Sequence, residues 1–174
     1  MSVKKINGYR IFLQEKLGKG SYGTVHTVGY RSTVAKAMRP RTLLLSKFSI
    51  NPIVPTNLSL VNSDPYLKAA LISEIKIMKA VKSENIVDLI DVMESSNNYY
   101  IIQELCDGDL EHHLKAKPNH ALDEKEAVQV LTEIAHGFLT LVKEGIVHRD
   151  LKPANIFMSK GSCKIGDFGF AKKN

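Results

Sequence analysis

The chain has 174 residues, 44% of them hydrophobic and 24% charged, with a formal net charge of +6. That length can bury a sizeable core in one domain, and the composition excludes a disordered or low-complexity protein. No apolar run approaches a membrane span, residues 1–7 lack the apolar core of a signal peptide, and Ser2 stands where N-myristoylation needs glycine.

Two cysteines, Cys106 and Cys163, make neither a disulfide framework nor a metal-ligand pair. Two thiols in an unsecreted chain are most simply reduced, so a cytoplasmic setting is expected, with a nuclear one as the alternative. The positive residues are scattered, as in Lys4 and Lys5, Lys115 and Lys117, Lys172 and Lys173. No basic stripe interleaves with aromatics, so a nucleic-acid partner is not expected.

In chain order, Tyr9, Ile11 and Leu13 alternate with polar neighbours apart from Phe12, which predicts a strand. A glycine-rich turn follows, and Val25 to Val28 read as the returning strand. Gly29 begins a turn towards a third strand at Val34-Ala35-Lys36. Residues 39–65 hold Pro40, Pro52, Pro55 and Pro65, four of the six prolines. That stretch is expected to be neither one helix nor one central strand, and it reads as an unstructured excursion. Leu67, Leu71, Ile75, Met78 and Val81 make a helical stripe over 66–82, with Glu74 beside it. Ile86 to Val92 and Tyr99 to Ile102 read as two strands around a Ser/Asn turn. Gln103 to Asp109 reads as a connector. A long helix is predicted over 123–144. Asp123 and Glu126 begin it as a capping box, Gly145 ends it, and Val128, Leu131, Ile134, Ala135, Phe138, Leu141 and Val142 form its expected buried stripe.

Directly after that helix comes His148-Arg149-Asp150-Leu151-Lys152-Pro153-Ala154-Asn155, followed by Asp167-Phe168-Gly169. Hydroxyl-to-phosphate transfer needs this set. Asp150 can orient or deprotonate a hydroxyl, and Lys152 can neutralise charge on the moving phosphoryl group. Asn155 and Asp167 offer hard oxygen ligands to magnesium. The spacing from Asp150 to Asn155 fits D-x-x-x-x-N. Upstream, Gly18-Lys19-Gly20-Ser21-Tyr22-Gly23-Thr24-Val25 fits G-x-G-x-x-G-x-V. Alone, those glycines could simply build a hairpin. A dinucleotide site would need a helix to open after them, whereas a strand-like run follows. Lys36 and Glu74 could be unrelated surface charges, but they fall in the order the later motifs require.

From about Tyr9 to Ala171 the chain resembles the eukaryotic protein kinase family. The resemblance implies an α+β fold of two lobes. These are a small β-rich lobe (1–103, with 39–65 an insertion loop), a hinge (104–109) and a truncated helical lobe (110–174), with ATP and Mg²⁺ between the lobes. It implies that Gly18, Gly20 and Gly23 cover the phosphates and that Lys36, paired with Glu74, holds them. Glu104 and Cys106 would hydrogen-bond adenine through their backbones. Leu17, Val25, Val34 and Phe157 would sandwich its faces, and Asp109 would reach the ribose. Val34 stands where alanine is usual in V-A-I-K, which trims the pocket. Gln103 would be the gatekeeper, Met78, Leu89, His148 and Phe168 would stack as an internal spine, and Arg149 would meet an activation-loop phosphate. Lys152 resembles the serine/threonine type, so a protein substrate with serine or threonine is implied. The strings from Cys106 to Leu110 and from Asp167 to Lys172 are similar to unc-51-like, autophagy-initiating kinases, and Aurora-like and calmodulin-dependent-type kinases share parts of them. The chain ends at Asn174, before an A-P-E motif, so a fragment of a full kinase is expected. An inactive nucleotide-binding or interaction module, with regulatory partners, is the alternative reading.

Overall fold

The computed structural model describes residues 3–6, 9–20, 23–30, 49–57, 65–94 and 98–174. Their contacts divide the chain into two units, Met1–Leu58 with Asp91–Gln103, and Ser59–Ile90 with Glu104–Asn174. The sequence reading groups 1–103 together; here 59–90, including the helix that bears Glu74, belongs with the second unit. Both readings divide the chain between Gln103 and Glu104.

The first unit is built on β1 (Val3–Ile6), β2 (Tyr9–Gly20), β3 (Gly23–Tyr30) and β4 (Ser49–Asn57). The later strands β5 (Leu89–Glu94) and β6 (Asn98–Gln103) complete a six-stranded sheet in the order β1-β2-β3-β4-β6-β5. Tyr9, Met93, Tyr100 and Ile102 form its buried cluster. Period-two patterning is what puts Tyr100 and Ile102 on one face, since side chains alternate along a strand.

β4 corrects two expectations. Residues 49–57 are ordered as a strand rather than an excursion, and they are central, paired antiparallel to both β3 and β6. Pro52 lies opposite Thr27 of β3 and Pro55 opposite Tyr100 of β6. In an antiparallel strand successive residues bond to opposite sides, so the two prolines remove a donor from different ladders. Each ladder loses one bond, which the rest of the register tolerates. β3 also runs through Gly29 to Tyr30 rather than turning at Gly29. Both its edges are therefore occupied, by β2 and by β4, and the place expected for the lysine strand is filled by a segment without lysine. Val34 and Lys36 lie outside the described residues.

The second unit begins with α1 (Pro65–Ala80), on which Leu71, Ile75, Ile77 and Met78 are buried. Ile86 and Val87 do not belong to β5 as expected. Ile86 instead bridges Ile165 in parallel, and Val87 N–H donates to the Ile165 carbonyl at 2.9 Å. After the connector come β7 (Gly108–Asp109), α2 (Leu110–Lys115), α3 (Glu124–Lys143) and β8 (Ile146–Val147). A 3-10 turn at Pro153–Asn155 leads into β9 (Ile156–Ser159), β10 (Ser162–Ile165) and β11 (Lys172–Lys173). β7, β9 and β10 form one small sheet, and β8 pairs with β11.

α3 starts where the sequence places it. Asp123 is its N-cap and accepts from Glu126 N–H at 2.8 Å. The reciprocal half of a capping box is replaced, because the Glu126 carboxylate instead meets His113 and Lys117, each at 2.7 Å. Gly145, at φ +67°, ends the helix in the left-handed conformation that glycine adopts without strain. The buried face, however, is Val130, Gly137 and Leu141, with Ile134 partly covered. Val128, Leu131, Ala135, Phe138 and Val142 are exposed, which corrects the expected stripe at every position except Ile134 and Leu141. Among the described residues, no helix is long and apolar enough to cross a membrane.

Candidate active site

The loop between β8 and β9 carries the polar groups singled out from the sequence. It is anchored by His148, which is buried, as expected of a packed histidine. His148 Nε2 lies 3.0 Å from the Gly166 carbonyl, and its Nδ1 accepts from Asp150 N–H at 3.4 Å. The His148 ring also packs against Phe168, with centroids 5.2 Å apart and planes tilted by 58°. One side chain thus ties the loop to the segment bearing Asp167. Two of the four expected spine residues meet in this contact; Met78 is buried as well, and Leu89 is partly exposed.

Asp150 and Asn155 are held as a unit. Asn155 is 5% exposed, and its Nδ2 donates to both the carbonyl and the Oδ2 of Asp150, each at 2.8 Å. Lys152 Nζ donates to the same Oδ2 at 2.8 Å. Pro153 opens the 3-10 turn that brings Asn155 back towards Asp150. Gly166 N–H donates to the Asn155 carbonyl at 3.0 Å, so the turn is also fastened to the residue before Asp167. Lys152's hydrogen bond, helped by that of Asn155, pulls the Asp150 carboxyl below its ordinary range, and the same pairing raises the Lys152 ammonium. Asp150 is therefore an ionised acceptor at neutral pH, and a weak one.

Asp167 sits at φ +58° and accepts from Gly169 N–H at 3.4 Å. Its charge reaches both Lys152 and Glu74. With Asn155 Nδ2 spent on Asp150, the amide oxygen is the atom left to serve as a hard ligand. Asn155 and Asp167 then supply one amide and one carboxylate oxygen. That small oxygen-only set suits Mg²⁺, which keeps water and phosphate as its other ligands. Consistent with so few protein ligands, no cluster of three or more His, Cys, Asp or Glu side chains forms a metal cage among the described residues.

Glu74 is the outlier in electrostatics. Burial, and then the charge of Asp167, pushes its carboxyl up to about 7. Its Oε2 is buried and has no hydrogen-bond partner among the described residues. Lys36, its expected partner, lies outside them.

The glycine-rich stretch is a hairpin, not a strand-to-helix turn. Gly18 pairs with Val25, and the ladder closes at Gly20 opposite Gly23. Lys16 pairs with His26, so Leu17 is the extra residue of a β-bulge. A returning strand after the glycines is what the sequence predicts.

On the connector, Glu104 exchanges backbone and side-chain bonds with Asp88, and Lys164 Nζ lies 2.9 Å from its Oε1. Cys106 is half-buried, and burial, followed by the Glu104 charge, raises its thiol to about 11. It is a protonated, unreactive thiol. Phe157 is half-buried and pairs in register with Asp109. Asp109 does more than the sequence indicates: it caps α2, with Oδ1 accepting from His112 N–H at 2.8 Å and Oδ2 2.7 Å from His112 Nδ1. Lys164 is the residue at this site that sequence reasoning misses. Nothing in the sequence beyond its place three residues before Asp167 marks it.

A histidine-braced loop thus fixes an Asp–Lys–Asn cluster within reach of the charge of a second aspartate. The protein kinase domain family matches residues 12–174, and the chain belongs to that family. It is 31% identical over 158 residues to cyclin-dependent kinase-like 1 of Caenorhabditis elegans, covering 90% of this chain. The chain spans 40% of the length of that relative. The fold is accordingly the two-lobe kinase fold, with a sheet-rich part and a helical part.

Proposed function

We propose that this chain carries the catalytic apparatus of a serine/threonine protein kinase, moving the γ-phosphoryl group of ATP onto a protein hydroxyl. The observation that carries the reading is the double donation from Asn155 to Asp150, which fixes the acceptor and the candidate metal ligand on one rigid turn. The incoming serine or threonine hydroxyl is oriented by Asp150 Oδ. As its oxygen forms the new bond to phosphorus and the bridging bond to ADP breaks, its proton passes to that carboxylate. Because Lys152 holds Asp150 ionised and weakly basic, the carboxylate chiefly aligns the hydroxyl, and the proton moves late. Lys152 faces the phosphoryl oxygens as charge shifts towards ADP. Asn155 and Asp167 would hold Mg²⁺, which would supply positive charge against the phosphates when bound.

The remaining assignments follow the resemblance. Gly18, Gly20, Gly23 and Lys36 would engage the triphosphate. Leu17, Val25, Val34 and Phe157 would cover adenine, and the backbone of Glu104 and Cys106 would bond it. Asp109 would reach the ribose through the lone pairs that its two contacts to His112 leave free. Lys152 supports serine/threonine over tyrosine substrates, and a cytoplasmic setting fits the free thiols. The unc-51-like strings and the cyclin-dependent kinase-like relative support different subgroups, so the proposal stops at serine/threonine kinase.

Transfer of labelled γ-phosphate to a serine-containing protein such as myelin basic protein, by the wild type and by Asp150→Asn, tests this reading. Loss of Asp150 is expected to lower transfer by roughly a hundredfold or more. Equal transfer by both proteins, or none by either while ATP still binds, would instead support a non-catalytic nucleotide-binding module.

A further inference from the structure

The connector enters the second unit at Glu104, and three groups grip that residue. Glu104 N–H donates to the Asp88 carbonyl at 3.0 Å, and Asp88 N–H donates back to Glu104 Oε1 at 2.8 Å. The third group is Lys164, whose Nζ shares the same Oε1 at 2.9 Å. This ion pair is unlike the other lysine pairs among the described residues. The Lys164 side chain is 14% exposed and that of Glu104 is 21% exposed, whereas every other paired lysine is at least 33% exposed. An exposed pair contributes little, but a shielded carboxylate that loses its counter-charge is costly to keep in place. Lys164 also reaches beyond Glu104, since its charge acts on Cys106.

We infer that Lys164 is a positioning residue for nucleotide binding, holding the connector backbone from Glu104 to Cys106 in its adenine-accepting conformation by pinning the Glu104 side chain. The inference rests on the adenine-bonding role proposed above for that connector. Without Lys164, the Glu104 carboxylate turns to water and lets go of Asp88 N–H. Glu104 then keeps one backbone bond, to the Asp88 carbonyl, and the next fixed point is Asp107, whose N–H donates to the Met158 carbonyl at 2.7 Å, so adenine must order the stretch between them on binding. Binding loses what preorganisation had supplied. The triphosphate is assigned to other residues, so the defect is specific to the base.

Binding of ATP and of inorganic tripolyphosphate, both with Mg²⁺, is measured by calorimetry on the full 174-residue chain. Lys164→Met is expected to weaken ATP binding roughly five- to tenfold while leaving tripolyphosphate within twofold of wild type. Lys164→Arg keeps the charge and is expected to restore ATP binding. Glu104→Gln, which keeps the shape but replaces the ion pair with Lys164 by a weaker neutral contact and so loosens the hold on Asp88 N–H, should show the same base-specific loss to a smaller degree, and it serves if the methionine variant folds poorly. Unchanged ATP affinity in Lys164→Met, or equal losses for ATP and tripolyphosphate, would overturn the positioning role alone. Failure of the wild type to bind ATP would overturn the nucleotide-binding reading, and the positioning role with it.

Discussion

At the scale of single residues, Glu74 departs furthest from its behaviour in water. Its carboxyl is raised from 4.5 to about 7, chiefly by burial and then by the Asp167 charge. A nearby cation would oppose both causes, and the described residues supply none that does so. The folded chain holds the Glu74 proton more tightly than the unfolded chain, so folding takes up a proton between pH 4.5 and about 7. Stability must therefore fall as pH rises across that window and level off above it. At about 1.4 kcal/mol for each pH unit, the whole effect is about 3–4 kcal/mol at most. Glu74→Gln removes it: denaturation midpoints for this variant should match wild type near pH 5 and exceed it near pH 8. A wild-type advantage at pH 8 would mean that Glu74 is ionised and paired in solution. The importance of Glu74 is legible from its helix and its place in the chain. Its protonation is not, because burial is a property of the packed unit.

At the scale of elements, α3 shows why an apolar pattern can mislead. Positions 128, 131, 135, 138 and 142 follow the three-four spacing of a buried stripe as regularly as the packed face at 130, 134, 137 and 141, and every one of them is apolar. The packed face includes a glycine, and Gly137 is what lets the helix approach its neighbour. A Cβ there would lie 2.6 Å from the Asn85 carbonyl oxygen. That oxygen cannot yield easily, since it accepts from Ile165 N–H at 2.9 Å. Gly137→Ala gains about 1 kcal/mol of helix propensity and incurs overpacking of about 1–3 kcal/mol. The clash is with fixed backbone, so the variant should melt several degrees below wild type; an unchanged or higher melting temperature would show that Asn85 can move. The uncovered stripe is a contiguous apolar surface of the kind that promotes association. β4 misled for the opposite reason. Its prolines argue against a central strand, but they fall on different ladders and each ladder loses a single bond.

At the scale of the whole molecule, what the sequence made readable is what is contiguous. Both ends of α3, the glycine hairpin and the Asp150–Asn155 loop each depend on neighbours a few positions apart, and each is where the pattern predicts. What it hid are meetings between distant segments: β4 beside β3, Ile86 on Ile165, and Lys164 on Glu104. If Asp150, Asn155 and Asp167 serve one magnesium–nucleotide site, as proposed, nucleotide binding depends on magnesium through Asp167. Calorimetric titration of ATP into wild type and Asp167→Asn, each with and without MgCl₂, isolates that dependence. Mg²⁺ is expected to tighten ATP binding to the wild type and to have little effect on the variant. The same enhancement by Mg²⁺ in both proteins would contradict it.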